Sequence, residues 1–240
     1  MSPHGRSTVA DPARAQSDAS GALLQCRSLV KRFGQTPALD GASLRIAAGE
    51  IVAVMGPSGS GKSTLLHCAA GILAPDSGEV LYGGREVGSL PDSERSRLRR
   101  SEFGFVFQFG RLVPELSCAE NVALPLRLAG IPRRTARSRA AAWLERLEVA
   151  ELAERLPGDV SGGQGQRVAV ARALVASPQI VFADEPTGAL DSLNGERVMQ
   201  LLTAAARESD TAVVLVTHEP RVAAYADREV VVRDGRTHSS

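Results

Sequence analysis

A glycine-rich segment with the spacing G-x-x-x-x-G-K-S begins at Gly56. Glycines allow backbone conformations that turn several N–H groups toward one point, which forms a cradle for an anion. A helix that follows such a cradle presents its positive end to the same anion. Lys62 can then reach the outer phosphates of a nucleotide, and the Ser63 hydroxyl can bind Mg²⁺. The candidate residues of this phosphate loop are Gly56, Pro57, Ser58, Gly59, Ser60, Gly61, Lys62, Ser63 and Thr64.

Two carboxylates, Asp184 and Glu185, directly follow a short apolar run at residues 180–183. At the end of a buried strand, Asp184 can hold Mg²⁺ directly or through water, since Mg²⁺ keeps several of its waters. Glu185 can polarise the water that attacks the outer phosphate, where positioning and charge stabilisation contribute more than proton acceptance. The alternative for Glu185 is a surface or helix-capping carboxylate that precedes Pro186.

Three short apolar runs end at candidate active residues. Residues 51–55 lead to the phosphate loop, residues 180–183 lead to Asp184, and residues 212–216 lead to Thr217 and His218. Helical patterns separate these runs. Buried strands that alternate with helices indicate an α/β domain with a mostly parallel sheet. In such a sheet ligands bind beyond the carboxyl ends of the strands, which is where the candidates lie.

Other parts of the chain predict further elements. Residues 24–29 and 42–46 are typical of strands in a smaller antiparallel sheet, and Asp234-Gly235 is a hairpin-turn signal. Residues 118–164 have a helical pattern and predict a helical subdomain inserted into the α/β core. Cys68 shares helical spacing with Leu65, Ala69 and Ile72, which predicts that Cys68 is a buried core residue.

Composition limits the kind of protein. The 240 residues include 28 Lys and Arg and 27 Asp and Glu, so the net charge of +1 provides no field that attracts nucleic acid, and no nucleic-acid partner is expected. No apolar run approaches the roughly 18 residues that span a bilayer. Three cysteines without metal-type spacing are typical of a reducing cytosol. Residues 1–20 lack an apolar stretch and predict a disordered tail.

Between the phosphate loop and the two carboxylates lies Val160-Ser161-Gly162-Gly163-Gln164. In this order the motifs resemble those of the ATP-binding cassette (ABC) family, and the resemblance extends from about residue 24 to residue 236. It implies an α/β fold in residues 21–240. That fold has a P-loop NTPase (RecA-like) core with a mostly parallel sheet, a small antiparallel β subdomain and the inserted helical subdomain. It also implies ATP hydrolysis, with ATP and Mg²⁺ as the cofactors.

The resemblance implies roles for four isolated residues. Gln108 matches the glutamine that contacts Mg²⁺ and water, and His218 matches the switch histidine that senses the γ-phosphate. Asp191 matches the D-loop, which communicates between two cassettes, and Phe33 lies where the family places the ring that stacks on adenine. The alternatives are a structural hydrogen-bonding histidine and an ordinary core phenylalanine.

In the family, the signature segment, which here is Ser161 to Gln164, closes over ATP that is held by another subunit. A chain with a single cassette is therefore expected to work as a head-to-tail pair, most simply of two identical copies. Two residues depart from the family pattern. Val160 replaces the usual leucine, and Gly165 stands where relatives often carry glutamine, at a helix cost of up to ~1 kcal/mol.

Finer likeness in the segments 105–108, 120–126 and 183–192 is to ATPases of lipoprotein release, macrolide export and antimicrobial-peptide export. In that subgroup the partner is a separate membrane permease, which implies a cytoplasmic protein held at the inner face of the cell membrane. Phe109, Leu112 and Leu116 are candidates for receiving the permease; their alternative is packing of the subdomain junction.

Two other classes of protein are the alternatives. The first is a soluble ABC ATPase acting on ribosomes or DNA. It is disfavoured because the chain has one cassette, and because no sustained heptads or paired cysteines lie between Lys62 and Ser161. A GTPase or kinase is the second, and neither needs the signature segment.

Overall fold

The structure is a computed structural model that describes residues 21–239. The tail expected at residues 1–20 lies outside the described residues. The strands are β1 (Ala22–Phe33), β2 (Thr36–Ala47), β3 (Ile51–Met55), β4 (Ser77–Tyr82), β5 (Arg85–Glu86), β6 (Phe103–Phe107), β7 (Ile180–Asp184), β8 (Ala212–Val216), β9 (Arg228–Arg233) and β10 (Arg236–Ser239). The helices are α1 (Lys62–Ala69), α2 (Asp92–Ser101), α3 (Cys118–Leu128), α4 (Arg133–Arg146), α5 (Gly162–Leu174), α6 (Ser192–Glu208) and α7 (Pro220–Ala223). Two 3-10 turns lie at Ala150–Leu152 and Pro157–Asp159.

The larger sheet has six strands in the order β10-β9-β3-β8-β7-β6. All neighbouring pairs are parallel except β9 and β10, which form an antiparallel hairpin. Its turn is Asp234-Gly235, and both residues have the positive φ that a two-residue hairpin turn requires. The predicted α/β fold with a mostly parallel sheet is therefore confirmed, as is the hairpin turn.

Both faces of this sheet are buried, and side chains alternate between two cores. Val181 and Val213 face the core that contains α3, α4, α5 and α6. Phe182 and Val214 face the core that contains α1 and the antiparallel sheet. A strand buried on both faces has no polar side to show, which explains the continuous apolar runs in the sequence.

A smaller antiparallel sheet has the order β2-β1-β4-β5. The predicted strands are confirmed, but they are about twice as long as the apolar alternation suggests. The pairing of β1 with β2 has register shifts, and Ser28 within β1 has a φ of 46°. Such a bulge interrupts the alternation of faces, so the outer part of each strand has no period-two pattern to read.

Helices α3 and α4 and the 3-10 turns occupy the region predicted to be helical. Helix α5 begins at Gly162 and runs beyond residue 164, and it packs against α3, β6 and α6. It is thus shared between the helical region and the core. Within residues 21–239, none of the helices combines the length and apolar character that crossing a bilayer requires.

The prediction that Cys68 is a buried core residue is confirmed, since Cys68 is 1% exposed. Leu65, Cys68 and Ala69 are buried on α1, but Ile72 lies beyond the helix and is 48% exposed. Gly71 has a φ of 62°, and the N–H of Ile72 donates to the carbonyl of His67. This left-handed glycine ends the helix before Ile72, so the helical spacing does not continue that far.

Candidate functional site

The register of the larger sheet brings the candidate residues to one edge. Phe107 at the end of β6 pairs with Asp184 at the end of β7, and Asp184 pairs with Val216 at the end of β8. Val216 in turn pairs with Val54 of β3, which leads into the phosphate loop. Gln108, Glu185, His218 and the phosphate loop follow these strand ends directly. Their proximity is a consequence of the parallel pairing.

Steric contacts explain why the phosphate loop contains glycines. A Cβ atom at Gly56 would lie 2.2 Å from the carbonyl oxygen of Val232, and one at Gly61 would lie 2.2 Å from that of Ala38. Both glycines also have positive φ, 145° and 105°. The β9–β10 turn braces the loop from outside, because the N–H of Gly235 donates to the Ser60 carbonyl at 3.0 Å.

Lys62 is the first residue of α1 and is only 7% exposed. Its Nζ donates to the carbonyls of Gly56 at 2.9 Å and Pro57 at 2.8 Å, so the ammonium group lies against the backbone of the loop. A cavity opens in front of it. The cavity is lined by Phe33, Ala38, Pro57, Ser58, Gly59, Gly61, Lys62, Ser63, Thr64, Gln108, Glu185 and His218.

Asp184 and Ser63 meet beside this cavity. The Ser63 hydroxyl donates to Oδ1 of Asp184 at 3.0 Å. Two hard oxygen ligands are thus adjacent at the start of α1, a donor set that suits Mg²⁺. The described residues form no cluster of three His, Cys, Asp or Glu that could hold a metal by itself. The chemistry therefore fits an ion that takes its remaining ligands from phosphate oxygens and water.

Glu185 has a left-handed backbone, with a φ of 46°, which is uncommon for a residue with a side chain. Its N–H donates to the Val216 carbonyl at 2.9 Å, which holds this conformation against β8. Oε1 lies 2.9 Å from Nδ1 of His218. Oε2 is buried and has no hydrogen-bond partner among the described residues. The carboxylate thus keeps one oxygen for a group that is not part of the chain.

Gln108 lines the cavity and lies against Gly188. A Cβ atom built on Gly188 would come within 2.9 Å of Nε2 of Gln108. A side chain at position 188 would therefore displace the amide. Gln108 lies close to Glu185, whose Cβ is 3.5 Å from the same built atom.

Two side chains of helix α5 donate hydrogen bonds to the backbone on both sides of Gln108. Gln166, which is 3% exposed, donates from Nε2 to the carbonyl of Phe107 at 3.0 Å. Arg172 donates to the carbonyls of Gly110 at 2.7 Å and Arg111 at 2.9 Å. Burial lowers the pKa of the Arg172 guanidinium. The sequence did not identify Gln166 and Arg172, and its local pattern carries no signal for them, because each binds a backbone carbonyl far away along the chain.

The segment held by Arg172 contains three consecutive residues with left-handed backbone. The φ angles are 65° at Phe109, 67° at Gly110 and 44° at Arg111. Each non-glycine residue in this region costs about 1 kcal/mol or more, so the surrounding contacts must stabilise the conformation. Phe109 is 77% exposed, while Leu112 packs against the core. Leu116 lines a separate groove beside α3 and α4, together with Ala119, Ala123 and Leu124.

Phe33 is the last residue of β1 and is 56% exposed at the rim of the cavity. The ring therefore lies on the surface beside the phosphate loop, and Phe33 is not an ordinary core phenylalanine. Its open face can accept a planar group such as a purine base.

The signature segment forms the start of α5. Ser161 is the N-cap: its Oγ accepts from the N–H of Gln164 at 3.3 Å, and Oε1 of Gln164 accepts from the N–H of Ser161 at 2.9 Å. This reciprocal cap leaves the first N–H groups of the helix free to face an anion. Among the described residues, those that line the phosphate-loop cavity include no member of the signature segment.

Asp191 is the N-cap of α6, and its Oδ1 accepts from the N–H of Asn194 at 2.9 Å. The next residue, Ser192, accepts a hydrogen bond from Arg221 at 2.9 Å. Arg221 also pairs with Glu219, which follows His218. The segment after His218 is thus bonded to the segment after Asp191 within one chain.

Comparison with known proteins agrees with this geometry. The family model described as ABC transporter matches residues 39–188. The lipoprotein-releasing system ATP-binding protein LolD of Paramagnetospirillum magneticum is 49% identical over 82% of this chain and 87% of its own length. The macrolide export ATP-binding/permease protein MacB of Marinobacter nauticus is 43% identical over 89% of this chain, which covers 34% of MacB.

Solved structures lead to the same family. A dimeric post-hydrolysis structure of the ATP-binding cassette MJ0796 with ADP and Pi has a TM-score of 0.82 and 39% identity, covering 90% of this chain and 98% of that one. These relatives favour a transporter ATPase over a soluble cassette that acts on ribosomes or DNA. The chain belongs to the ABC transporter family and is an ATP-binding, ATP-hydrolysing subunit of an ABC transporter.

Proposed function

We propose that two copies of the chain associate head to tail, so that ATP on the phosphate loop of one copy is closed over by the signature segment of the other. The observation that carries this proposal is the separation within one chain. A capped helix start with free N–H groups lies at Ser161 to Gln164, yet it does not line the cavity of its own phosphate loop. In this arrangement residues 21–240 act as one cassette, with residues 118–164 as its helical subdomain.

Within each site, the phosphate loop and Lys62 bind the phosphates, and Phe33 stacks on the adenine. Ser63 and Asp184 would hold Mg²⁺, with Gln108 contacting the ion or its water. When bound there, the ion would supply positive charge opposite the phosphate oxygens, on which negative charge develops during hydrolysis. Its placement is supported by the 3.0 Å contact between the two oxygen ligands at the start of α1.

Glu185 orients the attacking water through the carboxylate oxygen that has no partner in the chain. His218 holds the other oxygen of that carboxylate, so its ring fixes the direction in which Glu185 points. Because the ring is largely exposed at the cavity, it can also contact the γ-phosphate. Preorganised positioning of this kind supplies most of the catalysis in phosphoryl transfer.

The proposed partner is a membrane permease, which would hold the ATPase at the inner face of the cell membrane. LolD is named for lipoprotein release and MacB for macrolide export, and MacB carries its own permease part. The groove beside α3 that Leu116 lines, which has both apolar and charged walls, is the proposed docking place, and the exposed Phe109 is a second proposed contact. Movement of α5 would reach this place through the backbone carbonyls that Arg172 holds.

Mixing two inactive variants tests the head-to-tail pair. Lys62→Ala removes phosphate binding. Gly162→Asp puts a negative charge at the start of α5, where a Cβ atom has only an ordinary 3.5 Å contact with Leu190. Each variant alone should be inactive. The mixture should recover part of the ATPase activity, because the mixed pair contains one site with an intact loop and an intact signature.

The control for this experiment is each variant mixed with itself at the same total concentration. Recovery should rise with protein concentration, since the mixed pair forms by association. A mixture as inactive as its components, with both variants folded and able to associate, would place loop and signature of each site in the same chain and refute the proposal.

Permease docking has its own test. Phe109→Asp and Leu116→Asp should abolish capture of the detergent-solubilised permease while basal ATP hydrolysis and melting temperature stay unchanged. Asp is tolerated at the left-handed position 109 better than most side chains. Ile72→Asp is the matched control, because Ile72 is also an exposed apolar residue but lies beyond α1. Capture that survives both substitutions would place the docking surface elsewhere.

A further inference from the structure

Asn194 lies in the first turn of α6 and makes two hydrogen bonds to one carboxylate. Its backbone N–H donates to Oδ1 of Asp191 at 2.9 Å, and its side-chain Nδ2 donates to Oδ2 of Asp191 at 2.7 Å. These bonds hold the pKa of the Asp191 carboxyl below its usual range. The orientation of the Asp191 side chain is thus fixed by a residue three positions further along the chain.

The same side chain occupies the space beside Gly163 in the signature segment. A Cβ atom built on Gly163 would lie 2.8 Å from Oδ1, 2.9 Å from Cγ and 3.0 Å from Cβ of Asn194. Position 163 therefore has no room for a side chain while Asn194 keeps its place. The neighbouring Gly162 is less crowded, with a nearest contact of 3.5 Å to Leu190. The first turns of α5 and α6 meet at Asn194.

We propose that Asn194 is a positioning residue that holds Asp191 and the signature segment in one fixed arrangement, which the chain presents as a unit to a second copy. The inference rests on the proposed head-to-tail pair, in which both segments act across the interface. Among the described residues, those lining the phosphate-loop cavity do not include Asn194. Its effect therefore falls on closure of the pair and not on binding of ATP by one copy.

The variant Asn194→Asp separates these effects. It preserves the shape of the side chain and the backbone hydrogen bond to Asp191, but it replaces the donating amide by a carboxylate that faces another carboxylate. In a Glu185→Gln background, ATP-dependent pairing can be measured by sedimentation. We expect pairing to weaken about tenfold or more, since a hydrogen bond to a charged group is lost and like charges face each other.

Three further readouts distinguish positioning from general damage. Binding of a fluorescent ATP analogue by one copy and the melting temperature should match those of the parent. With Glu185 restored, Asn194→Asp should lower kcat while KM is unchanged. Gln200→Glu is the matched control: Gln200 is exposed on the same helix, nearly two turns further along, and the variant adds the same charge. It should pair like the parent.

Asn194→Ala removes Nδ2 without adding a charge and should give a smaller loss of pairing; if Asn194→Asp does not fold, this variant alone decides. If the Glu185→Gln parent pairs with ATP and both Asn194 variants pair equally well, the role of Asn194 is overturned and the head-to-tail proposal stands. If the parent itself does not pair with ATP, the head-to-tail proposal is overturned, and this inference with it.

Discussion

Replacing Arg172 by lysine tests whether α5 positions Gln108. The guanidinium holds two carbonyls, those of Gly110 and Arg111, through the fixed geometry of its planar fork, which a lysine ammonium on a shorter side chain does not reproduce. A hydrogen bond from a charged donor contributes about 1.5–3 kcal/mol to stability. In a domain of this size, a loss of about 1 kcal/mol lowers Tm by about 2–4 °C. Loss of one such bond should therefore lower Tm by roughly 3–12 °C. Because the backbone after Gln108 is then free to shift, kcat should fall by up to about 100-fold.

The measurements are thermal melting and steady-state ATP hydrolysis, with KM for ATP expected to stay unchanged because Arg172 does not line the nucleotide cavity. Arg167→Lys is the matched control, since Arg167 lies on the same helix and donates to the Glu148 carbonyl at 2.9 Å, away from Gln108. It should lower Tm with little change in kcat. The reasoning is refuted if Arg172→Lys keeps wild-type kcat, or if both variants lose kcat equally.

Three other outcomes are expected. Glu185→Gln should keep ATP binding and lower kcat by about 10²-fold or more, because the water loses its orienting carboxylate; near wild-type turnover would remove Glu185 from that role. Lys62→Ala should weaken ATP binding itself, seen as a raised Kd for a fluorescent analogue, and an unchanged Kd would contradict the assignment. Deleting residues 2–20 should leave turnover and Tm unchanged, because that segment has too little apolar content to dock; a drop of several degrees would show that it does.

The sequence could predict the phosphate loop and the two carboxylates because local patterns specify them. Glycines at fixed spacing after an apolar run determine the loop, and an apolar run determines where Asp184 emerges. The parallel sheet followed from the same runs. The sites of Gln108 and His218 depended on the family resemblance, since a single Gln or His carries little signal.

The contacts of Arg172 and Asn194 could not be predicted in the same way. Arg172 reaches carbonyls 61 and 62 positions earlier in the chain, and Asn194 fills the space beside a glycine on another helix. Such contacts depend on how helices pack, and nothing in the local pattern distinguishes these side chains from solvated ones. The bulge at Ser28 could not be predicted either, because it interrupts the alternation of buried and exposed residues by which a strand is recognised.

The brace between Gly235 and the phosphate loop has a consequence for biosynthesis. The loop appears early in the chain, but the hydrogen bond from Gly235 to Ser60 comes from a hairpin near its end. Residues 51–69, which become β3 and α1, are therefore synthesised well before the loop can acquire this support. The bracing of the loop is thus a late step, which must wait for residues 228–239 to be synthesised and to fold against β3.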